Sequence, residues 1–292
     1  MLKVFGKLNI GLLFSTVMLT APYGAVAQPT ASPALQERHL IIGIANQAPW
    51  GYVTKDGDAA GFYPDIVRTI FRSAGISKLD FVVVDFGALI PSLLAKRIDA
   101  AAAGLAITPV RCGQVTFSDP DLAIGDELIV RQGNPFAIHS FADVVRNQNI
   151  RMGGGRASTN TEHALEAGIA SSRIQQFEGV ETGIAALLAN RIDAFTLSSA
   201  SAIAVSKDRN LRAVERASPF KGLVKNGEVV ANYAAVAFRP DDTPLRDLYN
   251  TGLKQLQANG GVQKIMERYG FTAEEAVPHG LTAKKVCGTP VD

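Results

Sequence analysis

The sequence predicts an α/β protein of two similar lobes, and three observations lead there. Short apolar strands alternate with amphipathic helices from about residue 40 to residue 197, the pattern of a mostly parallel sheet built from βα units. The run IPSLLAKRIDA at 90–100 returns as IAALLANRIDA at 184–194, identical at eight of eleven positions. Sharing Arg-Ile-Asp-Ala in one register implies that both lobes follow one helix-to-strand plan. Finally, extended runs near 131 and 234 flank the second set of units, so two strands cross between the lobes and form a hinge over a cleft. The expected division is 38–130 plus 235–292 for lobe 1 and 131–234 for lobe 2.

Residues 1–27 read as a signal peptide. Lys3 and Lys7 make a positive start, Ile10 to Ala21 is an apolar run too short to span a membrane, and Ala25-Val26-Ala27 offers a small-residue cleavage site. Leu40–Ala45 is an apolar strand and 46–61 a loop rich in turn residues, followed by a helix from Pro64 to Ala74 with proline in its first turn. Phe81–Asp85 is a strand, Ile90–Lys96 a helix and Ile98–Ala103 a strand of small residues. In the second half, Ile150–Gly153, Arg173–Phe177 and Ile192–Leu197 read as strands, with helices at Thr159–Ala167 and Gly183–Ala189. The glycine run 153–155 with Arg156 reads as a tight turn, since no Lys-Ser or Lys-Thr follows to complete a phosphate loop. Val229–Arg239 is extended, and helices follow at Pro244–Ala258 and Val262–Tyr269.

Composition narrows the function classes. Removing residues 1–27 takes two lysines from 29 basic residues and no acid from 27, leaving 27 against 27. A neutral chain lacks the basic face that nucleic acid or an anionic membrane requires. The two cysteines, Cys112 and Cys287, belong to an exported chain, where a disulfide is the default reading. His39, His139, His163 and His279 show no ligand spacing, so neither a metal nor a cofactor is expected. Asp65, Asp99 and Asp193 stand at element boundaries, where caps and ion pairs are the expected roles.

Ligands of open α/β sheets sit beyond the carboxyl ends of the strands. On this plan the segments 46–50, 86–88, 104–111, 157–159 and 197–199 converge on the cleft. Within GLAITPVRC at 104–112, Thr108-Pro109 opens a helix and holds Arg111, whose guanidinium presents paired donors to a carboxylate. A helix beginning at Thr159 turns free N–H groups toward an anion. Trp50, the one tryptophan, and Phe86 each follow a strand.

The motifs ANQAPWGYVTKDG, GFYPDI, FGALIPSLLAKRIDAAAAG, ITPVRC, VTFSDP, ANRIDA and AVAFRP, in that order, resemble the periplasmic solute-binding proteins of ABC importers, in the group for polar amino acids and ectoines. The resemblance covers nearly all of the mature chain. It implies a type II periplasmic binding protein, a monomer that carries a small zwitterionic ligand to an inner-membrane ABC permease. Ectoine and hydroxyectoine binders are the most similar, through the APWGY loop, the cysteine after Arg111 and a late cysteine matching Cys287. The resemblance implies a carboxylate held by Arg111, Ser158 and Thr159, aromatic walls from Trp50 and Phe86, and further contacts at Gln47, Gly104, Ala106 and Ser198. Three positions depart from the patterns. Ala106 stands where amino-acid binders carry Ser or Thr and ectoine binders an aromatic ring; Ser198 stands where amino-acid binders carry an acid; Gln47 stands where ectoine binders carry one. With no acid among these residues, a diffuse amidinium cation on aromatic faces suits the site better than a compact ammonium. The expected function is therefore binding of ectoine or hydroxyectoine, with another amino acid or compatible solute as alternative. A cyclohexadienyl-dehydratase-like enzyme on the same fold is the rival from another class, with Glu162 or Glu181 supplying its acid.

Overall fold

A computed structural model describes residues 1–2 and 30–288; the expected signal peptide, 1–27, lies almost wholly outside them. Two sheets organise the chain. In the first, the strands run in the order Leu79–Val83, Leu40–Ile44, Ala100–Ala106, Asn232–Phe238 and Thr116–Phe117, with Leu122–Ile124 also paired to Asn232–Phe238. In the second the order is Ile174–Phe177, Met152–Gly155, Ala194–Ser198, Asp126–Arg131 and Val214–Arg216. In each sheet a single strand, Asn232–Phe238 in the first and Asp126–Arg131 in the second, runs antiparallel to its neighbours, and the other strands share one direction. The sheets are thus mostly parallel in strand direction, as expected, with one reversed strand in each where the chain crosses between the lobes.

Alternation along a strand fills both faces of each sheet. Ala100 and Ala102 join the cluster beneath the helices Phe62–Ser73 and Thr243–Ala258, whereas Ala101 and Ala103 join the opposite cluster with Leu89 and Leu93. The second sheet is covered likewise, by Phe141, Val144 and Ala164 on one face and by Ile184, Leu187 and Val205 on the other. The glycine run forms the Met152–Gly155 strand, not a turn. A Cβ on Gly153 would lie 2.5 Å from Ile192, and one on Gly154 would lie 2.2 Å from Thr161 Oγ1, so close packing of side chains on both faces of the strand explains the glycines.

The chain first changes sheets at Gly125, between the strands Leu122–Ile124 and Asp126–Arg131. Residues 126–130, expected with the first lobe, hydrogen-bond to Ala194–Ser198 and Val214–Arg216 in the second sheet. An extended run looks the same whichever sheet receives it, and only its partners assign it. The return crossing precedes the Asn232–Phe238 strand. Cys112 and Cys287 are bonded, Cα to Cα 5.8 Å, and tie the C-terminal helix Ala283–Val286 to the helix Pro109–Cys112.

Candidate functional site

The loop after the first strand brings two side chains to the cleft. Gln47 and Gly51 exchange backbone hydrogen bonds of 2.8 and 3.1 Å, a closure that fixes the residues between them. Trp50 is 3% exposed and packs 5.3 Å from Phe271 and 6.2 Å from Tyr63, ring centre to ring centre. It is both core and cleft wall. Gly104 lies against its face: it has φ +72°, and a Cβ there would lie 2.9 Å from the indole, so glycine meets two constraints at one position.

Arg111 is held by its own short helix. Thr108 caps Pro109–Cys112 by accepting from the Arg111 N–H. The guanidinium, 8% exposed, donates through Nη1 to the Ala106 carbonyl at 2.8 Å and through Nη2 to the Ala157 carbonyl at 2.7 Å. The second bond crosses from lobe to lobe. Ala157 has φ +55°, a left-handed geometry that costs a non-glycine residue about 1 kcal/mol and that turns its carbonyl to this donor. Burial lowers the Arg111 pKa from its ordinary value, opposed by the charge of Glu162. Among the described residues no carboxylate lies within ion-pair distance of Arg111. Its charge lies 5.9 Å from the Phe86 ring centre.

The second lobe presents strand ends and a helix start. Ser158 precedes the helix Thr159–Glu166 and makes no side-chain cap bond, so the first N–H groups of the helix remain open to an anion. Thr159 and Asn160 are buried there, the latter held by its Nδ2 donating to Asp126 Oδ1 at 2.7 Å.

Seven expected residues, Gln47, Trp50, Phe86, Gly104, Ser158, Thr159 and Ser198, line one cleft between the lobes. Ala106 and Arg111 stand outside that lining. Ala106 is 1% exposed and meets the site only through its carbonyl to Arg111, so a ring at 106 would enter packed strands; Arg111 lies behind the wall because both lobes offer it carbonyls. Glu162 and Glu181, the acids of the enzyme reading, do not line the cleft, whereas Glu178 does. Glu178 sits 3.7 Å from Arg156, also in the lining. Sequence reasoning missed Glu178 although it follows the strand Ile174–Phe177 directly, as 86–88 follows a strand in the first lobe. The strand-end rule applied once more finds it. Ser201 was missed too; it receives hydrogen bonds from Gln47 and Trp50.

The family model of bacterial extracellular solute-binding proteins, family 3, matches residues 40–273. A probable amino-acid ABC transporter periplasmic-binding protein of Sinorhizobium fredii is 31% identical over 253 residues, 85% of this chain and 83% of that protein. The lysine/arginine/ornithine-binding periplasmic protein of Escherichia coli is 27% identical, over 87% of this chain and 96% of its own. Among solved structures, EhuB in complex with hydroxyectoine superposes with a TM-score of 0.77 at 31% identity, covering 87% of this chain and 96% of that one. With two lobes, a lined cleft and a family match over most of its length, this chain belongs to the bacterial extracellular solute-binding proteins, family 3.

Proposed function

We propose that the protein captures a small zwitterion in the periplasm and delivers it to an ABC permease, with ectoine or hydroxyectoine as the ligand. The observation that carries this reading is the buried Arg111 guanidinium, bonded to two neutral carbonyls and to no carboxylate. A buried cation without a counter-ion is costly, and a ligand carboxylate at the open start of the helix Thr159–Glu166 supplies the missing charge. Trp50 and Phe86 also line the cleft and supply aromatic surface for a delocalised cation. The likeness to EhuB with hydroxyectoine supports the same choice.

Glu178 favours a second reading. A carboxylate in the lining pairs with a compact ammonium better than an aromatic face does, which suits an α-amino acid. The test is a thermal-shift and calorimetric panel of ectoine, hydroxyectoine, glutamate, histidine and arginine. Stabilisation by ectoine or hydroxyectoine alone is the expected outcome; a strong response to a common amino acid with none to ectoine rejects the ligand assignment.

A further inference from the structure

Ser201 is the third residue of the helix Ser199–Lys207 and is 1% exposed. Local chemistry holds it: Ser198 caps the helix, its Oγ accepting from the Ser201 N–H at 3.2 Å, and the two hydroxyl oxygens lie 2.9 Å apart. Two donors of the first lobe converge on Ser201 Oγ, Trp50 Nε1 at 2.8 Å and Gln47 Nε2 at 2.7 Å. A hydroxyl accepts twice and donates once. The two first-lobe donors take up its acceptor capacity, and one further hydrogen bond joins it to the Ser198 hydroxyl.

Both donors line the cleft, while Ser201 itself does not. With the Gln47 NH₂ committed to Ser201, the amide oxygen is the end left for a ligand N–H. The indole N–H is likewise committed, which fixes the ring within its plane at the cleft wall. We propose that Ser201 is a positioning residue: when the lobes close, its hydroxyl orients Trp50 and Gln47, so that closure assembles the wall for the ligand's cationic pole. The Arg111 bond to Ala157 ties the lobes at the anion pole, and Ser201 ties them at the other. Removing the hydroxyl leaves the buried indole N–H and the half-buried Gln47 amide without this partner, a larger loss than that of one neutral hydrogen bond.

This inference rests on the binding-protein reading, and its test keeps the two apart. Trp50 is the single tryptophan, so its indole N–H gives one resonance in a proton–nitrogen spectrum. That resonance and its solvent exchange are followed in wild type, Ser201→Ala and Ser201→Thr, with and without ectoine, and calorimetry records ectoine affinity. Ser201→Ala is expected to accelerate indole exchange at least tenfold and to weaken ectoine binding at least tenfold, with Ser201→Thr retaining the wild-type exchange. An indole signal unchanged in Ser201→Ala overturns the proposal, as does an indole that exchanges freely in wild type under both conditions. Faster exchange with unaltered ectoine affinity overturns the coupling to binding. If ectoine fails to bind wild type while Ser201→Ala accelerates exchange, the positioning role stands and the ectoine assignment falls.

Discussion

Asp99 and Asp193 occupy the same corner of the two sheets. Each donates its backbone N–H over 2.7 Å, to Ile41 and to Arg151 respectively, and each carboxylate accepts the N–H of that same residue at 2.9 and 3.0 Å. Arginines complete both corners, Arg38 and Arg239 around Asp99 and Arg131 and Arg151 around Asp193. Just before them, Lys96 and Asn190 adopt left-handed φ of 59° and 56° and end the preceding helices. The repeated Arg-Ile-Asp-Ala is therefore a structural corner that latches each helix return to its sheet.

The Asp193 corner makes the fold acid-sensitive. Burial pushes its carboxyl pKa up, but hydrogen bonds from Arg151 and Arg131 outweigh this and hold it at about 2. A lowered pKa stabilises the fold above the unfolded value and is lost as pH falls, here between about 4 and about 2. Asp193→Asn is expected to cost about 2 kcal/mol at neutral pH and to flatten the acid limb of denaturant-derived stability between pH 5 and 2.

Asp121 acts with the opposite sign. Burial raises its pKa to about 8 against the Tyr63 hydroxyl, which donates to Oδ1 at 2.7 Å, and Oδ2 has no partner. The folded chain keeps a proton that the unfolded chain releases from about pH 4, so this group lowers stability as pH rises from about 4 to about 8. Asp121→Asn keeps the acceptor for Tyr63 and is expected to raise the melting temperature at pH 8 but not at pH 4, by roughly 2–4 °C per kcal/mol recovered.

Arg111→Ala is expected to weaken ectoine binding at least a hundredfold. It removes the buried positive charge that a ligand carboxylate offsets and the bond to Ala157, on the order of 3–5 kcal/mol together. Circular dichroism should stay that of the folded protein, and Arg111→Lys should not restore binding, because one ammonium does not reproduce the planar fork spanning Ala106 and Ala157. Full affinity in Arg111→Ala rejects the anion pole described above.

Trp50 and Glu178 separate the two ligand readings. If a diffuse cation rests on the indole, Trp50→Phe, which keeps a ring but weakens the face, lowers ectoine affinity several-fold, and Trp50→Ala lowers it about tenfold or more. Glu178→Gln then changes it by less than threefold, since its carboxylate is 64% exposed and already lies near Arg156. A tenfold loss in Glu178→Gln measured by calorimetry favours the compact ammonium.

Reduction of Cys112–Cys287 is expected to lower the melting temperature, with a loss on the order of 2–5 kcal/mol, yet to leave ectoine affinity within a few-fold. Both cysteines sit on helices packed beside the first sheet, so the bridge does not span the cleft. Thiol counting in the oxidised, denatured protein should find no free cysteine.

Periodicity and local chemistry determined much of this protein in advance. The alternation of strands and helices, the repeated corner ending in Asp99 and Asp193, the cap at Thr108 and the helix start at Thr159 are encoded within a few residues each, because backbone geometry and capping are short-range. The strand-end rule pointed to segments 46–50, 86–88, 104–111, 157–159 and 197–199 for the same reason, while the roles of single residues within them came from the family resemblance. Tertiary structure decided what depends on partners distant in sequence. Asp126–Arg131 was assigned by hydrogen bonds to residues 194–198 and 214–216. Arg111 came to rest on a carbonyl 46 positions away, and Ser201 met donors 151 and 154 positions away. No window of sequence contains such pairs, and which donor fills which lone pair is settled only when the two lobes face each other.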